Sequence, residues 1–270
     1  MTTGLPDVGG AGTAAAVSAV ARALYGHDPG PASGVVHVVA VAAPAAPEAP
    51  LTVMRIEPGT PKSTLDFFAL NFARARAQAI VVTGKILREE PELRYDLQGP
   101  GSLPRGLAAW RAAAGLTQPP RLVVLTSGRG LDLRHPALHS WARPLIYTTT
   151  EAAAALDGAA VAAVGVPRPS LRSLLAYLAS DGVEGVSIEA GPSTARALYE
   201  PSLAVDELML SVFQGPVPPR LIGGELLSPE RLDRQLPPRY PASSFQEASG
   251  RWTFSLRRPV VSGTWTTAGD

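Results

Sequence analysis

The sequence predicts an α/β protein whose central sheet is largely parallel, and three observations support this. Short runs of β-branched and aliphatic residues alternate with helical patterns through the middle of the chain, as in parallel sheets covered on both faces. The last third has strand-like runs without long helices between them, which predicts antiparallel strands at one edge. The 27 Pro and 26 Gly among 270 residues indicate short elements joined by many loops, not a helical bundle.

The first predicted elements lie before residue 60. Residues 14–25 are rich in Ala and are followed by Gly26, a residue type that commonly ends helices. Residues 35–42 form a β-branched run that is typical of a buried strand. Residues 43–50 contain three Pro and predict a loop, after which residues 51–56 can form another strand.

The best predicted helix covers residues 63–79. Ser63 can accept hydrogen bonds from N–H groups of the first turn, and Asp66 lies where an acid favours the helix dipole. Apolar residues at helical spacing predict one buried stripe, made of Leu65, Phe68, Ala69, Phe72 and Ala75 or Ala79. The polar residues that lie off this stripe are Asn71, Arg74 and Gln78.

Further apolar runs predict short strands at residues 80–83, 122–125, 145–148, 186–188, 208–213 and 252–256. Residues 171–179 predict a helix between two of these strands. No polar run divides the chain after residue 60, so we expect one domain at residues 34–259. Residues 1–33 are then an N-terminal arm or extra helix, and residues 260–270 are a C-terminal tail.

Composition excludes several functional classes. The 24 Lys+Arg nearly balance the 23 Asp+Glu, so a net charge of +1 gives no strong field for nucleic acid or an acidic membrane. Without Cys the chain has no disulfide, thiolate nucleophile or Cys-ligated zinc. His135 and His139 are separated by Pro136 and lack the Glu of a zincin, so we expect no metal site.

The longest apolar run, residues 35–46, is interrupted and too short to span a bilayer. No positive charge precedes an early apolar stretch, as a secretory signal requires, so we expect a cytoplasmic protein. The sequence also has no P-loop, no G-x-G-x-x-G and no G-x-S-x-G. These absences argue against a Walker NTPase, a standard Rossmann site and an α/β hydrolase.

Three polar segments directly follow predicted strands, at the sheet edge where α/β proteins bind ligands. Lys85 and Arg129 offer positive charges for phosphate groups, although both segments also have the composition of ordinary turns. Glu189 is expected to direct its carboxylate into the same cleft. The segments are Thr83-Gly84-Lys85, Thr126-Ser127-Gly128-Arg129 and Glu189-Ala190-Gly191-Pro192-Ser193-Thr194.

In this order, the segments resemble the reductase domain of riboflavin biosynthesis, which has the dihydrofolate-reductase-like fold. The resemblance covers about residues 63–224. Residues 63–82 resemble the family's helix and R-A-x-A-D-A-I-L-V-G strand, and residues 88–93 (REEPEL) its R-x-D-D-P-x-L loop. Further matches are residues 120–125 (P-x-R-V-V-L-D), 187–192 (V-x-E-G-G-P), 205–208 (V-D-E-L) and 221–224 (L-L-G-G).

The resemblance implies a three-layer α/β/α fold, a homodimer, and NADPH-dependent reduction of a ribosylamino-pyrimidine phosphate or a related imine or carbonyl. It implies that Glu189 and Glu89 orient a sugar hydroxyl or donate a proton, which requires a carboxyl in an apolar cleft. The implied cofactor contacts are Thr83, Gly84 and Lys85 at one phosphate cleft, Thr126, Ser127 and Arg129 at the adenosine end, and Gly191, Pro192, Ser193 and Thr194 at a second phosphate cradle.

Departures from the family pattern leave other functions open. Lys85 replaces a Thr, Glu89 replaces an Asp, and Asp96 stands where the loop's Arg is expected. The early S-x-D-G motif is not visible near Val41, and a chain without Cys cannot supply the family's deaminase metal site. The alternatives are a non-catalytic member that binds a nucleotide or a partner, and a dihydrofolate reductase-like enzyme.

Overall fold

The computed structural model describes residues 4–260 and shows an eleven-stranded sheet with helices around it. The strands are β1 (Gly34–Ala42), β2 (Thr52–Met54), β3 (Ala79–Thr83), β4 (Arg121–Leu125), β5 (Arg143–Thr149), β6 (Ala162–Val166), β7 (Gly185–Ile188), β8 (Glu207–Phe213), β9 (Ile222–Glu225), β10 (Ser243–Glu247) and β11 (Gly250–Arg257). The helices are α1 (Ala14–Tyr25), α2 (Thr64–Arg76), α3 (Gly84–Glu89), α4 (Leu103–Ala113), α5 (Thr150–Ala154), α6 (Leu171–Ser180), α7 (Pro192–Ala195) and α8 (Pro229–Gln235).

The strand order confirms a largely parallel sheet with antiparallel additions. The order is β10-β11-β8-β1-β7-β3-β4-β5-β6, and the strands from β8 to β6 run parallel to one another. β11 and β10 add antiparallel strands at one edge, while β2 and β9 extend antiparallel from the end of β1. After β6, at one edge of the sheet, the chain returns to the middle, where β7 lies between β1 and β3. The carboxyl end of β7 therefore lies at the centre of the sheet.

Helices cover both faces of this sheet, which gives the expected three layers. Val36 and Val38 of β1 face a core shared with α1, α2 and α4. Val35 and Val41 of the same strand face the other core, which includes α6 and α8. This alternation along β1 follows from the two-residue period of a strand, so a strand buried on both faces is mostly apolar, with the buried His37 as the exception in β1.

The N-terminal helix is packed into the first of these cores. Thr13 caps α1, Gly26 ends it in the left-handed region at φ 77°, and Val17 and Leu24 are fully buried. The helix at 14–25 is therefore confirmed, whereas the domain boundaries at residues 33 and 259 remain predictions. Of the predicted C-terminal tail, residues 261–270 lie outside the described residues.

The predicted helix at 63–79 differs from the structure in two respects. It ends at Arg76, because Ala77 is extended and Ala79 already starts β3. The residues off its apolar stripe are not solvent-facing, since Asn71 and Arg74 are 0% and 4% exposed. Both lie beneath the loops that follow β3, so α2 is covered on more sides than a surface helix.

Helix α4 and strand β6 are among the elements that were missed at the sequence level. α4 begins with Leu103-Pro104 and contains Gly106, and these breakers suggest a loop. Pro is nevertheless favoured in the first turn of a helix, where its missing N–H is not needed. β6 is only partly buried because it forms the other edge of the sheet, so its run of Ala, Val and Gly carries a weak strand signal. None of the described helices is long and apolar enough to cross a membrane.

Candidate active site

β7, β3 and β4 are neighbouring strands in the middle of the sheet, and their carboxyl ends lie side by side. β3 pairs with β7 through Val81 and Ile188, and with β4 through Thr83 and Leu125. The three polar segments that follow these strands are therefore neighbours in space. In α/β sheets this is the edge where nucleotide ligands bind, so a single ligand can contact all three segments.

Gly84 is where the ends of β3 and β4 approach most closely. A Cβ at Gly84 would lie 2.6 Å from Oγ1 of Thr126, so a larger residue would force the two strand ends apart. Thr83 caps α3, because its Oγ1 accepts a hydrogen bond at 3.4 Å from the backbone N–H three residues later. The Lys85 side chain is 69% exposed and its charge lies at the outer rim of this edge.

The turn after β4 presents a hydroxyl and a guanidinium to solvent. Thr126 is buried, and its Oγ1 accepts a hydrogen bond from the N–H of Gly128 at 3.1 Å. Ser127 and Arg129 are both exposed. Arg129 forms no ion pair within the described residues, while its carbonyl accepts a hydrogen bond from Nη1 of Arg88 at 3.1 Å. The turn is thus held by hydrogen bonds to the Thr126 hydroxyl and the Arg129 carbonyl, and the side chains of Ser127 and Arg129 stay accessible.

The segment after β7 leaves open space beside its backbone. The N–H of Glu189 donates to a β3 carbonyl at 2.9 Å, which holds the segment against the sheet. An ideal Cβ at Gly191 would have no atom within 4 Å, so no packing contact there requires a glycine. α7 follows directly, with Pro192 in its first turn and Ser193 exposed. Thr194 is half-buried on the same turn.

Arg74 of α2 and Glu189 form a buried ion pair beneath these strand ends. Nε donates to Oε1 at 2.8 Å and Nη2 donates to Oε2 at 2.7 Å, so the contact is bidentate. The two side chains are only 5% and 9% exposed. Burial alone would lower the pKa of Arg74, but the charge of Glu189 and its hydrogen bonds raise it instead. The Glu189 side chain is therefore held in one position by two hydrogen bonds from Arg74.

Tyr95 covers this ion pair. The centre of the Arg74 guanidinium lies 4.6 Å from the centroid of the Tyr95 ring, within the range of a cation–π contact. Burial raises the pKa of the Tyr95 hydroxyl well above its ordinary value, and the charge of Glu189 raises it further. The hydroxyl therefore keeps its proton and acts as a hydrogen-bond donor beside the Glu189 carboxylate.

Glu90 is a titratable carboxyl at the edge of this cluster. Its burial raises its pKa, the charge of Arg74 opposes this, and the charges of Glu189 and Glu89 raise it again, so the net shift is upward. Nε2 of His135 lies 3.0 Å from the backbone carbonyl of Glu90 and holds the loop in place. Glu90 is only half-buried, so solvent or a substrate can reach it.

The expectation that Glu89 lies in an apolar cleft is wrong. Its side chain is 61% exposed, and its Oε1 lies 3.6 Å from Nζ of Lys85 one helical turn earlier. α3 ends at Glu89, and Glu90 has left the helix with φ −125° and ψ 72°. The change in backbone direction therefore turns consecutive acids to different surroundings, a difference that the sequence cannot show.

Two loops contain positions at which the sequence departs from the family pattern, namely the missing S-x-D-G motif and Asp96. Residues 43–50 form a loop without Ser, Thr or Asp between β1 and β2. Asp96 is half-buried and accepts hydrogen bonds from Nε of Arg94 at 2.9 Å and from the N–H of Trp141 at 2.8 Å. Asp96 thus organises its own loop. Within residues 4–260, no group of three or more His, Asp or Glu is placed to hold a metal ion.

The order of the strands and the helices on both faces define the fold class, an α/β fold whose sheet is largely parallel with antiparallel strands at one edge. The chain is similar to a pyrimidine reductase-like protein from Corynebacterium diphtheriae, at 22% identity over 85% of this chain and 92% of that one, with a TM-score of 0.58. It is similar to RibD from Acinetobacter baumannii at 17% identity, with a TM-score of 0.57 and 85% of this chain covered.

A third similar structure is the deaminase/reductase of Thermotoga maritima, at 15% identity over 84% of this chain, with a TM-score of 0.52. The chain spans 58% of the Acinetobacter protein and 57% of the Thermotoga protein. No protein-family model matches the chain, and neither does any curated protein sequence. The chain therefore has the fold of the riboflavin-pathway pyrimidine reductases, as the sequence resemblance predicted.

Proposed function

We propose that the protein is an NADPH-dependent reductase of a small imine or carbonyl compound. The observation that carries the proposal is the adjacency of three polar strand ends beside one buried ion pair and one titratable carboxyl. A ribosylamino-pyrimidine phosphate is the first substrate to test, because the structurally similar proteins include pyrimidine reductases.

The residues at the strand ends fit a phosphate-bearing dinucleotide. Gly191 has open space at its Cβ position, so a ligand can approach the backbone there. Lys85 and Arg129 supply positive charges at the rim, and Ser127 and Ser193 supply exposed hydroxyls. In this proposal the adenosine end of NADPH lies against the turn after β4, and its central phosphates lie between α3 and the start of α7.

The chemistry divides between the cofactor and this chain's carboxyls. NADPH, when bound, supplies a hydride, which is the step that protein side chains cannot perform. In this proposal Glu90 is the general acid for the substrate's nitrogen or oxygen, because its raised pKa leaves it protonated to higher pH than an ordinary glutamate. The Glu189 carboxylate, fixed by Arg74, accepts a hydrogen bond from a substrate hydroxyl or amino group.

Two measurements on the full chain test this function. We expect NADPH to bind in a fluorescence titration, and its absorbance to fall when the pyrimidine substrate is added. Gly191→Val should weaken NADPH binding because its side chain fills the open space beside the backbone. Gly4→Val is the matched control, since its Cβ position is also open but lies far from the strand ends in the sequence.

The outcomes separate the alternatives. Binding of NADPH without oxidation by any related pyrimidine, imine or carbonyl would support a non-catalytic nucleotide-binding protein. Oxidation with dihydrofolate and not with the pyrimidine would support a dihydrofolate reductase-like enzyme. If neither NADPH nor NADH binds at high concentration, both cofactor assignments fail.

A further inference from the structure

A separate cavity lies between α7, the end of β9 and the start of α8. Its volume is about 270 Å³. Ala195, Tyr199 and Leu227 form an apolar floor, and all three are at least nine-tenths buried. None of the residues that fix the Arg74–Glu189 pair lines this cavity. It is therefore a distinct space that shares only α7 with the strand-end site.

One wall of the cavity carries an excess of positive charge. Nη1 of Arg231 donates to Oε1 of Glu200 at 2.9 Å. This hydrogen bond lowers the pKa of Glu200, and the charges of Arg231 and Arg196 lower it further. Two guanidinium groups therefore share one carboxylate. Arg196 has no ion pair of its own within 4 Å in the described part of the chain, so its charge is available to a ligand.

The cavity lining also carries the opposite charge. Glu225, the last residue of β9, lines the cavity and is exposed. It makes no ion pair with any residue between positions 4 and 260. A cavity lined by apolar residues, an available guanidinium and an available carboxylate is a binding surface for a molecule with both charges.

Some polar groups of the cavity are already hydrogen-bonded within the protein and are not available to a ligand. The Tyr199 hydroxyl lies 2.6 Å from Nδ1 of the buried His37, so it is already used and the ring faces the cavity. Oγ of Ser228 accepts a hydrogen bond at 3.3 Å from the backbone N–H of Arg231. The hydroxyl proton of Ser228 has no acceptor among the described residues and can be donated to a ligand in the cavity.

We propose that this cavity binds a small zwitterion of the amino-acid type. Its carboxylate would lie against Arg196 and Ser228, its ammonium group against Glu225, and its apolar side chain over the floor. The volume of about 270 Å³ is close to the roughly 300 Å³ at which small-molecule pockets begin, so the cavity suits a small ligand such as one amino acid. The proposal does not depend on the reductase function.

Calorimetry on the full chain can test the site with free leucine, methionine and phenylalanine as probes. Two half-analogues of leucine, 4-methylpentanoate and 3-methylbutylamine, each lack one charge. We expect at least one of the three amino acids to bind. If leucine binds, each of its half-analogues should bind more weakly, by up to about fivefold, the scale of one accessible ion pair. Arg196→Gln and Glu225→Gln should each weaken amino-acid binding similarly.

Matched controls come from α8, where Nη2 of Arg234 lies 3.7 Å from Oε1 of Glu230 in an exposed ion pair. Neither residue lines the cavity. Arg234→Gln and Glu230→Gln should leave binding unchanged. The proposal is overturned if no amino acid binds, if 4-methylpentanoate binds as well as leucine, or if the control variants weaken binding equally. It is also overturned if NADPH displaces the amino acid competitively, because the cavity would then belong to the cofactor site.

Discussion

Helix α2 carries two arginines, Arg74 and Arg76, that each form a buried ion pair with a glutamate on the central sheet. Arg74 pairs with Glu189 at the carboxyl end of β7, and Arg76 pairs with Glu207 at the start of β8. The side chains are 5% and 9% exposed in the first pair and 1% and 4% in the second. The two pairs have the same chemistry and almost the same burial.

Their surroundings differ. Arg76 also donates from Nε to the carbonyl of Gly30 at 2.6 Å, and Glu207 accepts a second ion pair from Arg258 at 2.7 Å. These contacts with Gly30, Glu207 and Arg258 connect distant parts of the chain, and none of the three residues lies at the carboxyl end of a parallel strand. The Arg74 pair instead borders Glu90 and the strand-end segments. An ion pair thus indicates a candidate site only when accessible titratable groups border it.

The largest expected effect is the loss of stability in Arg76→Met. The change leaves Glu207 buried with only Arg258 to balance its charge. Breaking a buried ion pair costs about 3–5 kcal/mol, and the hydrogen bond from Arg76 to the Gly30 carbonyl is lost as well. Urea unfolding should show this loss in the free energy of unfolding. Arg234→Met, in an exposed pair with Glu230, is the control and should change it by less than about 1 kcal/mol.

A double variant can separate structure from function at the other pair. Arg74→Met should cost about 3 kcal/mol, because Glu189 is left buried and unpaired. Adding Glu189→Gln removes that charge, so the double variant should recover part of the lost free energy of unfolding. Reductase activity should not recover, since the fixed carboxylate is gone. If activity returns with stability, the Arg74–Glu189 pair is as purely structural as the Arg76–Glu207 pair.

Glu90 and Glu89 provide a comparison between adjacent acids. Glu90→Gln should lower kcat by about 10²-fold, the lower range for loss of a general acid, whereas Glu89→Gln should change it little. The raised pKa of Glu90 means that the carboxyl stays protonated to higher pH. Activity should therefore fall as pH rises through that pKa, and Glu90→Gln should remove this limb. An equal loss in the two variants would contradict the assignment.

The smallest expected effect is at Lys85. Lys85→Ala should weaken NADPH binding by no more than about fivefold, because an exposed charge contributes up to about 1 kcal/mol. The loss should be greater at low salt, where screening is weaker. Fluorescence titrations at two salt concentrations measure both quantities. Affinity that does not change at either salt would mean that Lys85 only pairs with Glu89 at the surface.

Much of the fold was predictable because its signals are local. The β-branched run of β1, the Ser63 cap of α2 and the Gly26 end of α1 each depend on neighbouring residues in the chain. The three polar strand ends were also predictable, since parallel strands present their carboxyl ends at a common edge. The resemblance to pyrimidine reductases depended on these same short segments.

The candidate site was only partly predictable because its central contact is not local. Arg74 and Glu189 are 115 residues apart, and nothing in the helical pattern distinguishes Arg74 from a solvated arginine. The sequence by itself determined most of the strands, the order of the polar segments and the exclusion of Cys chemistry. The tertiary structure decided which carboxylate is held by a guanidinium and whether Glu89 or Glu90 faces the cluster. Burial and charge pairing depend on elements that only folding brings together, so these properties have no local signal.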